Sequence, residues 1–174
     1  ALVPDVLEAP WDSAGGLREA IDRAGPDRVA AFFCEPVIGA GGVFPPPEGY
    51  LEEARKVCRE AGVLFVADEV ITGFGRCGAW FASSRFDLEP DLVTCAKGLT
   101  SGYLPAGAVV AAPWVVEPFR RAEAGMFRHG YTYSGHAAVA AAALATLALM
   151  EREELPARAL RREEELAEAL APLA

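Results

Sequence analysis

LFVADEVITGFGRCGAWFASSRFDLEPDLVTCAKGLTSG, Leu64 to Gly102, holds two short apolar runs that each end in a charge. Leu64–Ala67 runs into Asp68, and Leu92–Ala96 runs into Lys97. Runs of this length suit strands buried on both faces, and a core would not choose an acid or an amine at their ends. Placed at the exits of two parallel strands, the two charges converge on the carboxyl edge of a sheet, where open α/β folds bind ligands. The expectation is a ligand held between an acid and a reactive amine.

Upstream, Asp12–Gly16 supplies an N-cap for a short amphipathic helix through Leu17, Ala20, Ile21 and Ala24, stopped by Gly25-Pro26. Val29–Cys34 reads as a buried strand, and Glu35 follows it into the glycine-rich turn Gly39–Gly42. Without GxGxxG or GK[ST], that turn is a weak phosphate signal and a plain loop suffices. After Pro45–Pro47, Glu48–Ala61 has apolar residues at helical spacing and Gly62 as its stop, and Val63–Ala67 is the next strand. Strand, helix and strand make one βαβ unit with a right-handed crossover. The glycines between Gly73 and Gly78 form a flexible loop that Trp80 and Phe81 can anchor.

Downstream, Ala106–Ala112 is a fourth apolar strand, separated from Leu92–Ala96 by about ten residues without a helix pattern, too few for a parallel crossover. One antiparallel strand in a mostly parallel sheet is therefore expected. Pro113–Arg121 suits a short helix, and Glu123–Gly135 is polar and aromatic. Ala137–Met150 continues into a long helix, and Pro156 opens a last one, Ala157–Leu173. The fold class is α/β, three-layered, with most strands parallel.

With 174 residues the chain can bury one good core. A hydrophobic share of 52% is high for a small domain and leaves surface for another domain or subunit. The net charge of -9 argues against nucleic acid or an anionic membrane as partner, since both need a basic face. Four cysteines without a CxxC pattern fit reduced thiols in a cytosolic, cytoplasmic protein better than disulfides or zinc. His129 and His136 have no further ligands at a recognisable spacing, so no metal site is expected. The first ten residues show no basic segment leading into an apolar one, so no secretory signal is legible. Ala137–Met150 is too short to span a bilayer.

A lysine at a strand exit can snorkel, bind phosphate or act as an amine nucleophile. Asp68 narrows the choice, because a carboxylate suits a pyridinium nitrogen while an amine suits an aldehyde. Together they describe pyridoxal phosphate, with Lys97 as the Schiff-base lysine. Asp68 would keep the ring nitrogen protonated, and Lys97, once displaced by an amino substrate, would move the proton. Asp68 could instead be a turn or helix-capping acid, a role open to Glu69 beside it.

The stretches AAFFCEPVIGAGGV, PPPEGYLEEARKVC, LFVADEVITGFGRCG, PDLVTCAKGLTSGYLPAGAVV and HGYTYSGH resemble the class III aminotransferases, pyridoxal-phosphate enzymes of fold type I related to the ω-amino acid and amine transaminases. The resemblance implies that Asp68 pairs with the ring nitrogen, Val70 packs on the ring, and Lys97 carries the Schiff base. It also implies that Thr132 binds the cofactor phosphate of the other subunit in a homodimer, and that Glu35 lies on the cofactor or substrate side. Ala137 stands where that family usually has proline, a departure expected to alter helix entry and not chemistry.

Members of the family are more than twice this length. The chain is therefore expected to be an internal fragment: 1–152 as part of the large cofactor-binding domain and 153–174 as the start of the connection to the small one. The implied activity moves an amino group from an amine or ω-amino acid donor to a keto acid such as pyruvate, with the isolated chain weak or inactive. An aminomutase or racemase of the same fold, and a non-catalytic α/β binding domain, are the alternatives.

Overall fold

The computed structural model describes residues 5–121 and 125–173. Glu123 and Ala124, at the head of the aromatic segment, lie outside the described residues. Helix α1 (Ala14–Ala24) starts where Ser13 Oγ accepts the Gly16 N–H at 3.0 Å. Strand β1 is Ala31–Cys34, shorter than the run from Val29, because Val29 closes a 3-10 turn by donating its N–H to Pro26 O. Helix α2 (Tyr50–Ala61) ends on Gly62, whose φ of 68° is a backbone conformation that glycine adopts without a Cβ clash.

Strands β2 (Leu64–Asp68), β3 (Leu92–Cys95) and β4 (Ala108–Ala111) complete a sheet of order β1-β2-β3-β4. The first two pairings are parallel and β3–β4 is antiparallel, as the short connection requires. Helices α1 and α2 cover one face, where Leu17, Ile21, Leu51, Val57, Phe65 and Ala67 form the core. On the opposite face Val66 is covered, 1% exposed, whereas Phe33 and Val109 stand open at 63% and 64%.

A single-turn helix α3 (Ala82–Arg85), unforeseen in the sequence, follows the glycine loop. Phe81 anchors that loop by packing on Phe74, ring centroids 5.3 Å apart, while Trp80 does so through its carbonyl, which accepts the Phe74 N–H. After β4 come α4 (Pro113–Val116) and a 3-10 turn, Glu117–Arg120. Helix α5 (Ala137–Arg152) lies against the turn that follows β3. Helix α6 (Leu155–Leu170) is narrower than expected at its end, where Ala171–Leu173 tightens into a 3-10 turn. It passes directly over the glycine loop: a Cβ on Gly78 would stand 2.9 Å from Leu160 Cβ.

Candidate active site

Three successive strands deliver three charged side chains to the carboxyl edge. Cys34 pairs with Ala67, so Glu35 leaves β1 at the level of Asp68; Asp68 pairs with Thr94, and Lys97 follows three residues later. The acid and the lysine therefore leave adjacent strands at one edge, Asp68 as the last residue of β2 and Lys97 two residues beyond the end of β3. Phe65 and Ala67 face α1 and α2, so alternation turns Asp68 to the other face, in one row with Thr94 and the open Val109.

Asp68 is half-buried, and one of its oxygens accepts the Val70 N–H at 3.0 Å. That contact is a turn-type bond, so the acid does close its own turn as one sequence reading allowed. Its second oxygen accepts no protein hydrogen bond among the described residues. The bond holds Val70, itself half-buried, directly beyond the carboxylate.

Lys97 is exposed and makes no ion pair among the described residues. Strand β3 stops one residue before the predicted end, at Cys95, and Lys97–Thr100 is a 3-10 turn. Lys97 has φ 35° and Ser101 φ 50°, left-handed values that cost a non-glycine residue on the order of 1–3 kcal/mol each. The turn is pinned from behind. Thr100 is buried and donates its hydroxyl to Leu104 O at 2.6 Å, and Gly98 is so close to Phe74 that a Cβ there would stand 2.8 Å from Phe74 Cβ.

Glu35 turns back on its own loop, its Oε2 accepting the Gly39 N–H at 2.9 Å, so the glycine-rich turn is a closed hairpin with Ile38 bridged to Phe44. Ile71 packs on Gly39, which brings the Glu35 and Asp68 loops into contact. An open pocket of about 250 Å³ lies beside Glu35, lined by aromatic residues including Trp11, Phe33 and Phe44. Thr132 sits on an exposed turn, Thr132–Gly135, just ahead of α5, and its hydroxyl makes no hydrogen bond among the described residues.

Cys34, at the same edge, is no competing nucleophile. Burial first, then the neighbouring Cys58, Glu69 and Asp68, push its thiol up to about 12, which keeps it in the unreactive neutral form. Cys95 is raised mainly by burial as well. Among the described residues no group of three or more His, Cys, Asp or Glu side chains is placed to hold a metal ion, and no helix is long and apolar enough to cross a membrane.

Glu69, the alternative turn or capping acid in the sequence, does take a capping role: fully buried, its carboxylate accepts the Thr72 hydroxyl and the N–H groups of Ala82 and Ser83 at the start of α3. The signal in the sequence was the acidic pair itself, Asp68-Glu69, with no basic residue nearby to balance it.

Comparison with known proteins gives one consistent result. Residues 12–174 match the family model described as aminotransferase class-III. The chain is 51% identical over 148 residues to the diaminobutyrate–2-oxoglutarate transaminase of Halomonas elongata, covering 84% of this chain and 32% of that protein. It is 47% identical over 146 residues to a probable gamma-aminobutyrate transaminase 2, mitochondrial, of Oryza sativa subsp. indica, covering 83% and 29%. The crystal structure of an (S)-enantioselective omega-transaminase from Thermomicrobium roseum superposes with a TM-score of 0.85 at 42% identity, covering 92% of this chain and 36% of that one. The chain thus spans about a third of the length of the relatives it matches.

Proposed function

Because the chain belongs to the class-III aminotransferase family, we propose that it carries the lysine and its partner acid of a pyridoxal 5'-phosphate site, and that the whole protein transfers an amino group to a keto acid. The observation behind this reading is the pair at the sheet edge. Asp68 and Lys97 leave adjacent strands, and each keeps bonding capacity that the described protein does not use. A ligand with a cationic ring nitrogen at one end and an aldehyde at the other would use both groups, the acid by its charge and the lysine by its amine.

When bound, the cofactor supplies an aldehyde that condenses with amines and a ring that withdraws electrons from the substrate Cα. The residues here divide the remaining work. The spare oxygen of Asp68 accepts a hydrogen bond from the protonated ring nitrogen, and its carboxylate charge favours that protonation. Val70, fixed by its N–H bond to Asp68, covers one ring face. Lys97 Nζ would take the proton from the substrate Cα and return it, projecting from a turn whose backbone is held at a fixed φ. Glu35 lies on the cofactor or substrate side of the edge, where its carboxylate closes the neighbouring loop through the Gly39 N–H.

Thr132 is assigned to the cofactor phosphate as a neutral hydroxyl donor. The resemblance to the class III aminotransferases supports a homodimer in which it serves the site of the second protomer. The open Val109, Phe127, Tyr131 and Tyr133, each more than half exposed, support the same assembly. Residues 1–152 would belong to the cofactor-binding domain and 153–174 to the connection beyond it. Four free cysteines support a reducing compartment, the cytoplasm. The donor is assigned as an amine or ω-amino acid, which the relatives named for diaminobutyrate and gamma-aminobutyrate support, and the acceptor as a keto acid such as pyruvate, a class to which the 2-oxoglutarate in the first relative's name belongs.

The test is acceptor dependence in the complete natural protein supplied with pyridoxal phosphate. With an ω-amino acid and no keto acid, one equivalent of donor is consumed and reaction stops; pyruvate or another keto acid restores turnover. Continuous turnover without any keto acid would replace transfer by isomerisation.

A further inference from the structure

Glu69 follows Asp68 directly and is 0% exposed, yet the chemistry above does not use it. Its Oε2 accepts the Thr72 hydroxyl and the Ala82 N–H, both at 2.8 Å, and its Oε1 accepts the Ser83 N–H at 2.7 Å. All three contacts are donated to it, which suits an acceptor-only carboxylate. Its main chain is equally engaged. The Glu69 N–H donates to Thr94 O and its carbonyl accepts the Gly73 N–H, each at 2.9 Å. Helix α3 has Phe81 at its N-cap and no side-chain cap of its own, so the carboxylate that satisfies its first N–H groups comes from the exit of β2.

These bonds close a circuit. From Asp68 the chain passes to Glu69, which holds the start of α3; Phe81, next to that start, packs on Phe74; Phe74 backs Gly98; and Gly98 adjoins Lys97. We propose that Glu69 is a positioning residue of the site: its buried carboxylate closes the segment from Val70 to Phe81 so that Phe74 seats the strained lysine turn at a fixed place relative to Asp68. The proposal rests on the pyridoxal phosphate reading. A neutral isostere cannot do the same. Glutamine offers one acceptor oxygen and sets an NH2 group against either Ser83 N–H or the Thr72 and Ala82 donors.

The experiment uses the complete natural protein loaded with pyridoxal phosphate and compares Glu69→Gln, Thr72→Val, Lys97→Ala and Leu51→Ala. Leu51 is a buried core residue on α2, away from the sheet edge, and serves as a control for lost stability alone. Two quantities are read: kcat against KM for the amino donor, and the pH midpoint of the visible absorption band of the bound cofactor. Glu69→Gln is expected to lower kcat on the order of 10- to 100-fold, the scale of a small misplacement of reacting groups, with little change in KM and a displaced midpoint. Thr72→Val, which removes one donor, shifts both in the same direction by less, and decides the matter if Glu69→Gln does not fold. Leu51→Ala leaves both at wild-type values at temperatures where it is folded. Wild-type kcat and midpoint in the Glu69 or Thr72 variant, or equal changes in Leu51→Ala, would overturn the proposal. Persistence of the band in Lys97→Ala would overturn the cofactor reading beneath it instead.

Discussion

Replacing Asp91 by alanine should loosen the join that sets Asp68 and Lys97 at one level. Asp91 is 3% exposed and opens β3. Its side chain accepts Arg55 Nη2 at 2.8 Å and Nη1 at 3.3 Å, and also the Phe65 N–H of β2 at 2.7 Å. Its backbone pairs with Phe65 O on one side and with the Ala112 N–H on the other. Removing one partner of a buried ion pair costs about 3–5 kcal/mol, because the other charge is left uncompensated. Arg55 retains Glu89 O at 2.8 Å and the Phe65 ring at 5.9 Å, which favours the low end for the pair. The Phe65 N–H loses its acceptor, which adds about 1–3 kcal/mol. Together these give about 4–6 kcal/mol for Asp91→Ala, read as a fall in urea midpoint at unchanged slope. Arg55→Met should cost less, since Asp91 keeps the Phe65 N–H. The double variant should cost less than the sum of the two, because each single change strands the other group. A loss below about 1 kcal/mol, or strict additivity, would refute this view of the join.

Burial raises Cys34 to about 12 and Cys58 to about 11 from an ordinary value of 9.0. The thiols therefore ionise first in the unfolded chain, and their contribution is full below pH 9.0 and lost as pH climbs towards the folded values. Ellman's reagent at about pH 8 should label Cys58 only after urea is added, the thiolate being the reactive form; rapid labelling of the native protein would contradict it. Gly78 has φ +79° and no room beside Leu160, whereas Gly49 has φ +74° and open space around its Cα. Gly78→Ala should cost about 2–4 kcal/mol and Gly49→Ala about 1–2, the difference being the close approach of α6. Equal losses in urea denaturation would mean that α6 does not press on the loop.

Much of the sheet was legible because apolar runs with charged ends are a local signal. β2, β3 and the antiparallel β4 follow from run length and connection length, and the first two send Asp68 and Lys97 out of adjacent strands at one edge. What stayed hidden depends on distant partners. Nothing near Glu69 announces that Ala82 and Ser83 will donate to it from thirteen or fourteen residues away. The left-handed turn at Lys97 was equally silent, since lysine has no preference for it and the reason, Phe74 against Gly98, lies across the loop. Helix α3 has four residues, too few for any periodicity to show. The role proposed for Thr132 rests on resemblance alone, because no pattern within this chain connects it to the sheet edge.

The central claim is that Lys97 is the residue that joins the cofactor. Reduction of the complete protein, loaded with pyridoxal phosphate, by borohydride followed by digestion and mass spectrometry tests it directly. The label should reside on the peptide containing Lys97 and vanish in Lys97→Ala. A label on Lys56, or one that survives the substitution, would contradict it.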